Sequence, residues 1–376
     1  MKNSLSKRIF ALTLALFTLA AVLAASGCGQ NKVVHKPVIA CTDENGEVCA
    51  EMDEGMFAYF ASEQKTMYLS SLLGDSFSQY ATKYDVEDFW SHVDSEGEVT
   101  LGEYVYDVAI VREAKNLLLS VYLFDKVYGL ECPAEVQTNI DTLIANLQKA
   151  LGSKQAFDNY LLTYGTNEEG VRRLEEYQYK KTLLEKCLYD DDGLTPINDD
   201  DVKYYFRDNY AIVKHIVVNT AYATNDDGTR RELTDEEKAE KEELVKSIEA
   251  RIAAGEDFDA LCEEYKDGDP NGYSAYPHGY FVTDDETFVA EFKNAALEMQ
   301  PGEVRTVATQ YGTHIMKKYP MDENLYNAYD DIYQNIKNVI QATLFNNMLD
   351  SVSDRLTVDE DIIASYDIIK IPLLLG

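Results

Sequence analysis

The stretch that decides the fold is residues 211–220, "AIVKHIVVNT". β-Branched residues dominate it, as in strands whose side chains pack on a pleated surface. Alternation sets Val213, His215 and Val217 on one face. A histidine therefore sits in the middle of a buried strand. A second, His314, lies one step inside another apolar run, "GTHIMKK" at 312–318, and shares a face with Met316. The chain has only five histidines. An imidazole on an apolar face needs partners for its ring nitrogens, and taken alone each of these two reads as a satisfied core residue.

Outward from residue 211 the pattern is mixed. "ATNDDGTRREL" (223–233) is a polar loop. "LTDEEKAEKEELVKSIEARIAAG" (233–255) is a helix with a capping box at Thr234 and Glu237 and a stop at Gly255. "DFDALCEEY" (257–265) is a second helix, "GYFV" (279–282) a strand, and "TFVAEFKNAALEM" (287–299) a helix. "VRTVATQYGTHIMKKY" (304–319) is two strands around Gly312. The order β-α-α-β-α-β-β makes residues 210–320 an α+β domain. The flanks are helical. Residues 40–209 contain "CPAEVQTNIDTLIANLQKALGS", with Pro133 at a helix start and Gly152 at its end, and "PINDDDVKYYFRDNY", with Asp199, Asp200 and Asp201 at the positive end of a helix. The long run 101–130 is apolar-rich and closes on Gly129. After Pro320 the helical pattern returns over 321–376 and finishes in "SYDIIKIPLLL", read as a strand or extended segment. The outer helical domain is thus expected to be built from both chain ends, with the α+β domain inserted.

Composition narrows the function. Lys and Arg number 34 against 67 Asp and Glu, a net charge of −33. That balance excludes nucleic acid, whose phosphates need cations, and docking on anionic lipid heads. It reads as a solvated, repulsive surface. No EF-hand spacing supports the sharper reading of calcium-binding loops, so no metal or other cofactor is expected. At the start, "MKNSLSKR" and the apolar "IFALTLALFTLAAVLA" form a secretory signal over residues 1–27, with Ala25, Ser26 and Gly27 before Cys28. Small residues followed by Cys resemble a bacterial lipobox, so Cys28 is the expected lipidation site and membrane attachment, followed by a tether over 28–39. Five further cysteines remain, an odd number. Cys41 and Cys49 flank a turn at Asn45-Gly46, diagonal rather than opposite, and their pairing stays open.

Residues 211–320 resemble a parvulin-type peptidyl-prolyl isomerase domain. "VKHIVV", "IAAGEDFDALCEEYKDGDP", "HGYF", "FVAEFKNAALEMQPGEV" and "TQYGTHIMK" occur in family order. The preceding helices resemble the chaperone segment of PrsA- and SurA-like secretion foldases, and with the lipobox the whole chain is similar to a PrsA-like foldase lipoprotein. The resemblance implies a four-stranded antiparallel sheet with surrounding helices. It implies that His215 and His314 hydrogen-bond each other beneath the substrate cleft, with Thr309 completing the network. It implies an apolar proline pocket at Phe288 and Phe292, four apart on one helical face, with Tyr280, Phe281 and Tyr311 beside it. The family's acidic or thiol residue near the substrate carbonyl falls on Asp267 or Asp269; aligning Asp-Pro with Asp-Pro favours Asp269 and leaves Gly268 as an insertion.

The expected function is a membrane-anchored extracytoplasmic foldase. It isomerises X-Pro bonds of unfolded secreted polypeptides without covalent chemistry. The competing reading is a holdase chaperone whose parvulin domain is weak or inactive. The resemblance also allows a homodimer through the helical part.

Overall fold

The computed structural model describes residues 37–93, 99–224, 229–285 and 287–374. The signal segment and Cys28 lie outside them. Two units emerge, one made of the chain up to Pro196 together with Leu344 onward, the other of Ile197–Thr343.

In the first unit both chain ends meet in one sheet. β1 (Pro37–Thr42) pairs antiparallel with β2 (Val48–Asp53) on one side and with the strand Leu356–Val358 on the other. This corrects two expectations. Pro37, Val38 and Ile39 belong to a strand rather than to a tether, because Val38 and Ile39 are buried. The late strand lies at 356–358; residues 366–374, which follow the short helix Glu360–Ser365, contain no strand. Cys41 pairs in register with Ala50, and the ladder shifts immediately afterwards. Cys49 is therefore diagonal to Cys41, and its thiol donates to the Cys41 carbonyl at 3.3 Å, both residues being free thiols.

Helices fill the rest of this unit. α1 (Glu54–Leu73) is capped by Asp53, whose carboxylate accepts from Met56 N at 2.8 Å. The apolar run 101–127 is helical but passes through π-helical stretches at Val105–Arg112 and Leu123–Val127. α2 (Ala134–Ala150), α3 (Lys154–Leu162) and α4 (Glu168–Tyr189) follow. A buried cation ties this unit together. Lys65 is fully buried, donates to the Ile371 carbonyl at 2.6 Å and pairs with Asp85 at 2.7 Å, above the Trp90 ring.

The second unit holds the motifs. α5 (Asp199–Asn209) starts at Asn198, which forms a capping box with Asp201. β3 (Ala211–Val218) follows, then α6 (Asp235–Ala253), α7 (Phe258–Glu264), β4 (Tyr280–Val282), α8 (Ala290–Glu298), β5 (Val304–Thr309) and β6 (Gly312–Tyr319). The capping box of α6 is present, with Thr234 Oγ1 accepting from Glu237 N at 3.2 Å and Glu237 accepting from Thr234 N at 2.8 Å; such caps contribute about 1 kcal/mol. The four strands form one antiparallel sheet in the order β4-β3-β6-β5.

Strand alternation splits the core in two. On one face Val213, Val282 and Met316 pack with Phe292, Ala295, Ala296 and Met299 under α8. On the other, Ile216, Val218 and Ile315 pack with Ile248, Phe258, Leu261 and Cys262 under α6 and α7. A one-residue slip in any strand would exchange the two faces, so burial on both sides fixes the register.

Candidate active site

The register places the site. In the β3–β6 ladder His215 faces Met316 and Val217 faces His314. Opposite residues share a face, so the two histidines lie diagonally on the α8 side of the sheet. Thr309 pairs with Gly312, and Tyr280 with Val213, which brings both onto that face as well. Gly312 has φ +133, and a Cβ there would stand 2.4 Å from the Val218 carbonyl, so only glycine closes this turn against β3.

Asp269 arrives from outside the sheet. β4 has only three residues, pairing with 211–213, so beyond Val213 that edge of β3 is open to the segment Lys266–Gly268. Gly268 is what lets that segment in, because a Cβ on it would lie 2.1 Å from the Val217 carbonyl. A residue that looks like an insertion in the sequence is the contact that sets Asp269 beside His215. The side chain of Asp267 lies outside the described residues.

The polar atoms form one unbroken series. Tyr311 N donates to Thr309 Oγ1 at 3.1 Å. Thr309 Oγ1 lies 2.9 Å from His314 Nε2, His314 Nδ1 lies 2.9 Å from His215 Nδ1, and His215 Nε2 lies 3.1 Å from Asp269 Oδ2. The imidazole planes are within 10° of parallel, which aims one Nδ1 at the other. The ends assign the protons. An ionised carboxylate only accepts, so His215 Nε2 carries hydrogen. A neutral His215 then accepts at Nδ1 from His314 Nδ1–H, and His314 Nε2 accepts from the Thr309 hydroxyl. Every link has one donor and one acceptor.

Electrostatics agree with that order. The donated bond from His215 comes first in holding the Asp269 carboxyl down, to about 2, against its partial burial; bonds from Tyr280 and Gly272 N add to it. Burial first, and then the neighbouring His215, push His314 down to about 4. His314 is thus neutral at ordinary pH. The Asp269 carboxylate ends the series; its side chain is 32% exposed, against 9% for His215.

Aromatic rings cover the series. Phe292 packs edge-on against both imidazoles, with centroids 5.2 Å from His215 and 5.4 Å from His314. Phe288 stacks on Phe292 at 5.3 Å, and Tyr280 meets Phe288 edge-on at 5.6 Å. Phe292 is buried and forms the floor, while half-buried Phe288 and Tyr280 form the walls. Tyr311 stands largely exposed at the rim and joins through its backbone.

Two site expectations are corrected. Phe288 is not on a helical face: α8 begins at Ala290 after Val289, and Phe288 reaches Phe292 from the approach segment. Lys293, paired with Asp284 at 3.0 Å, pins that segment to α8. Phe281 does not line the site. It pairs with Ile212 on the opposite face and packs against Phe206 and Tyr329. Sequence reasoning missed Gly272, whose N donates to Asp269 Oδ1 at 3.1 Å, and the hydroxyl of Tyr280, which donates to Asp269 Oδ2. Among the described residues no group of three or more His, Cys, Asp or Glu is arranged to hold a metal ion.

Residues 205–319 match the family described as the PPIC-type PPIase domain. The foldase protein PrsA of Clostridium acetobutylicum is 23% identical over 278 residues, 68% of this chain and 75% of that one. PrsA of Clostridium tetani is 21% identical over 382 residues, 96% of each chain. The chain carries a parvulin-type peptidyl-prolyl isomerase domain and is similar to PrsA foldases. The crystal structure of PrsA from Bacillus subtilis shares 22% identity, covers 74% of this isomerase and 94% of that chain, and gives a TM-score of 0.23. In the isomerase, the family match begins inside α5 and ends with β6, so it contains every residue of the histidine series and its aromatic cover.

Proposed function

We propose that this isomerase is an extracytoplasmic foldase, anchored through a lipid on Cys28, that catalyses X-Pro rotation in unfolded secreted polypeptides. In this reading residues 210–320 carry the chemistry. Residues 40–209 and 321–376 hold the substrate chain and offer the surface for a homodimer. Among the described residues no helix is long and apolar enough to cross a membrane.

The observation that carries the chemistry is the unbroken series from Tyr311 N to Asp269 beneath an aromatic wall. Rotation about a prolyl amide opposes partial double-bond character, with a barrier of about 18–20 kcal/mol. In the planar ground state the carbonyl oxygen is electron-rich and best solvated by water. In the twisted state resonance is lost and that oxygen needs less solvation. A dry cleft therefore favours the twisted amide over the planar one. Phe288, Phe292 and Tyr280 supply the dry wall and the grip on the pyrrolidine ring. The histidine pair lies beneath Phe292, its hydrogens committed to one another and to Asp269. No bond to substrate is made or broken, so no nucleophile is needed.

Exchange spectroscopy on a short X-Pro peptide tests this. Substoichiometric full-length protein is expected to produce cis–trans exchange far faster than the uncatalysed tens to hundreds of seconds. A folded protein that leaves the exchange rate unchanged would instead favour the holdase reading.

A further inference from the structure

Tyr280 does two things at once. Its ring is a wall of the cleft, and its hydroxyl donates to Asp269 Oδ2, the same oxygen that accepts from His215 Nε2. That meeting is possible only because of Gly272. A Cβ on Gly272 would stand 1.6 Å from the Tyr280 hydroxyl oxygen and 2.2 Å from Asp269 Oδ2. Gly272 has no positive φ, so the backbone does not ask for glycine there; the space does. Its N–H holds the other carboxylate oxygen. The carboxylate is thus gripped from β3, from β4 and from the short helix Pro270–Ala275.

We propose that Tyr280, seated by Gly272, is a positioning residue for the isomerase. Its hydroxyl holds the Asp269 carboxylate at His215 Nε2 and so fixes the histidine pair in a single donor–acceptor order. The inference rests on the isomerase reading of this cleft. Asp269 is the partly exposed end of the series, its side chain 32% exposed, where water can compete for it. If it swings away, His215 is free to carry its hydrogen on Nδ1. Two Nδ1–H donors then face each other across 2.9 Å unless His314 and Thr309 reverse together. The phenol prevents that by giving the carboxylate a second donor on the oxygen it uses for His215.

Tyr280→Phe in the full-length protein separates the hydroxyl from the ring. The expected result is a loss of about tenfold in kcat, the scale of one hydrogen bond to a charged group, with KM little changed because the ring wall remains. The acid limb of the rate profile moves to higher pH, since one of the donors holding Asp269 low is gone. Asp269 also borders a crevice lined by the ionisable side chains Lys214, Cys262, Tyr265, Lys266, Tyr273 and Tyr276, none of which the substitution removes. Ring 15N shifts of His215, read on the same protein, change from a pure Nε2–H pattern to a tautomer mixture. Gly272→Ala pushes the phenol and the carboxylate apart and reproduces these changes, and combining it with Tyr280→Phe adds little. Wild-type kcat together with a wild-type ring pattern in Tyr280→Phe would overturn the proposal. If the wild-type protein itself gives no peptide exchange, the isomerase reading fails, and the ring pattern alone then decides whether Tyr280 sets the tautomer.

Discussion

Each unit carries a buried polar network, and the two are built differently. In the helical unit Lys65, Asp85, Trp90 and the Ile371 carbonyl meet around a full positive charge, with Trp90 Nε1 also donating to Asp85 at 2.8 Å. Their members come from distant parts of the chain, and the network closes on itself. In the isomerase unit the series from Thr309 to Asp269 lies along one face of one sheet, ends on a partly exposed carboxylate, and is covered by aromatic rings. The first network cross-links; desolvating an ammonium is tolerated only because three partners surround it. The second is directional, each imidazole giving one hydrogen and taking one. A buried polar group is therefore not in itself a sign of chemistry. Direction, an open end and an apolar cover distinguish the second network.

The largest effect should come from breaking the first network. Asp85→Ala leaves the Lys65 ammonium buried without its counter-ion and is expected to remove roughly 3–5 kcal/mol from the helical unit in denaturant melts, with the rate on a short X-Pro peptide unchanged. Equal loss of peptide activity would show that the two networks are not separable.

Acid comes next. The unfolded chain protonates His314 near 6.5, while the folded chain resists until about 4. The unfolded state therefore binds more protons in that window, and stability falls as pH drops through it, by about 3 kcal/mol in the isomerase unit. Asp269, held near 2 in the folded state, has the same sign at lower pH, its contribution being lost as pH falls from the ordinary carboxylate range to about 2. Hydrogen exchange at β3 and β6 amides between pH 7 and 4 measures this; protection that rises on acidification contradicts it. Phe288→Ala should act mainly on binding. It strips a half-buried wall while leaving Phe292 over the imidazoles, so KM for the peptide is expected to rise about fivefold to tenfold, consistent with losing part of an aromatic contact, and kcat to change less. Thr309→Val should do least. It removes the hydroxyl between Tyr311 N and His314 Nε2 and should cost about 1 kcal/mol of stability and a few-fold in rate.

The parts legible in the sequence were those that repeat with a short period. Alternation along 211–218 and 312–319 put His215 and His314 on apolar faces, and the family order of the surrounding motifs brought the strands together. What was not legible depended on contacts that no local pattern records. Phe281 and Tyr280 are neighbours, and only the pairing of Tyr280 with Val213 says which of them faces the site. Phe288 sits at helical spacing from Phe292, yet the helix starts after it. Gly268 looks like an insertion and Gly272 carries no local signal, and their role as cut-outs shows only once the Val217 carbonyl and the Tyr280 hydroxyl are in place. In the other unit, residues 37–39 read as the end of a tether because the strand's partners are a hairpin mate and a segment more than three hundred residues away.

The most direct test of the central claim sets His215→Ala beside Asp85→Ala in the full-length protein and measures X-Pro peptide exchange and the denaturant midpoint of each unit. The account predicts a crossed result: His215→Ala loses the catalysed exchange and keeps the midpoint of the helical unit, while Asp85→Ala does the reverse. A folded His215→Ala protein that still exchanges the peptide at the wild-type rate would contradict it.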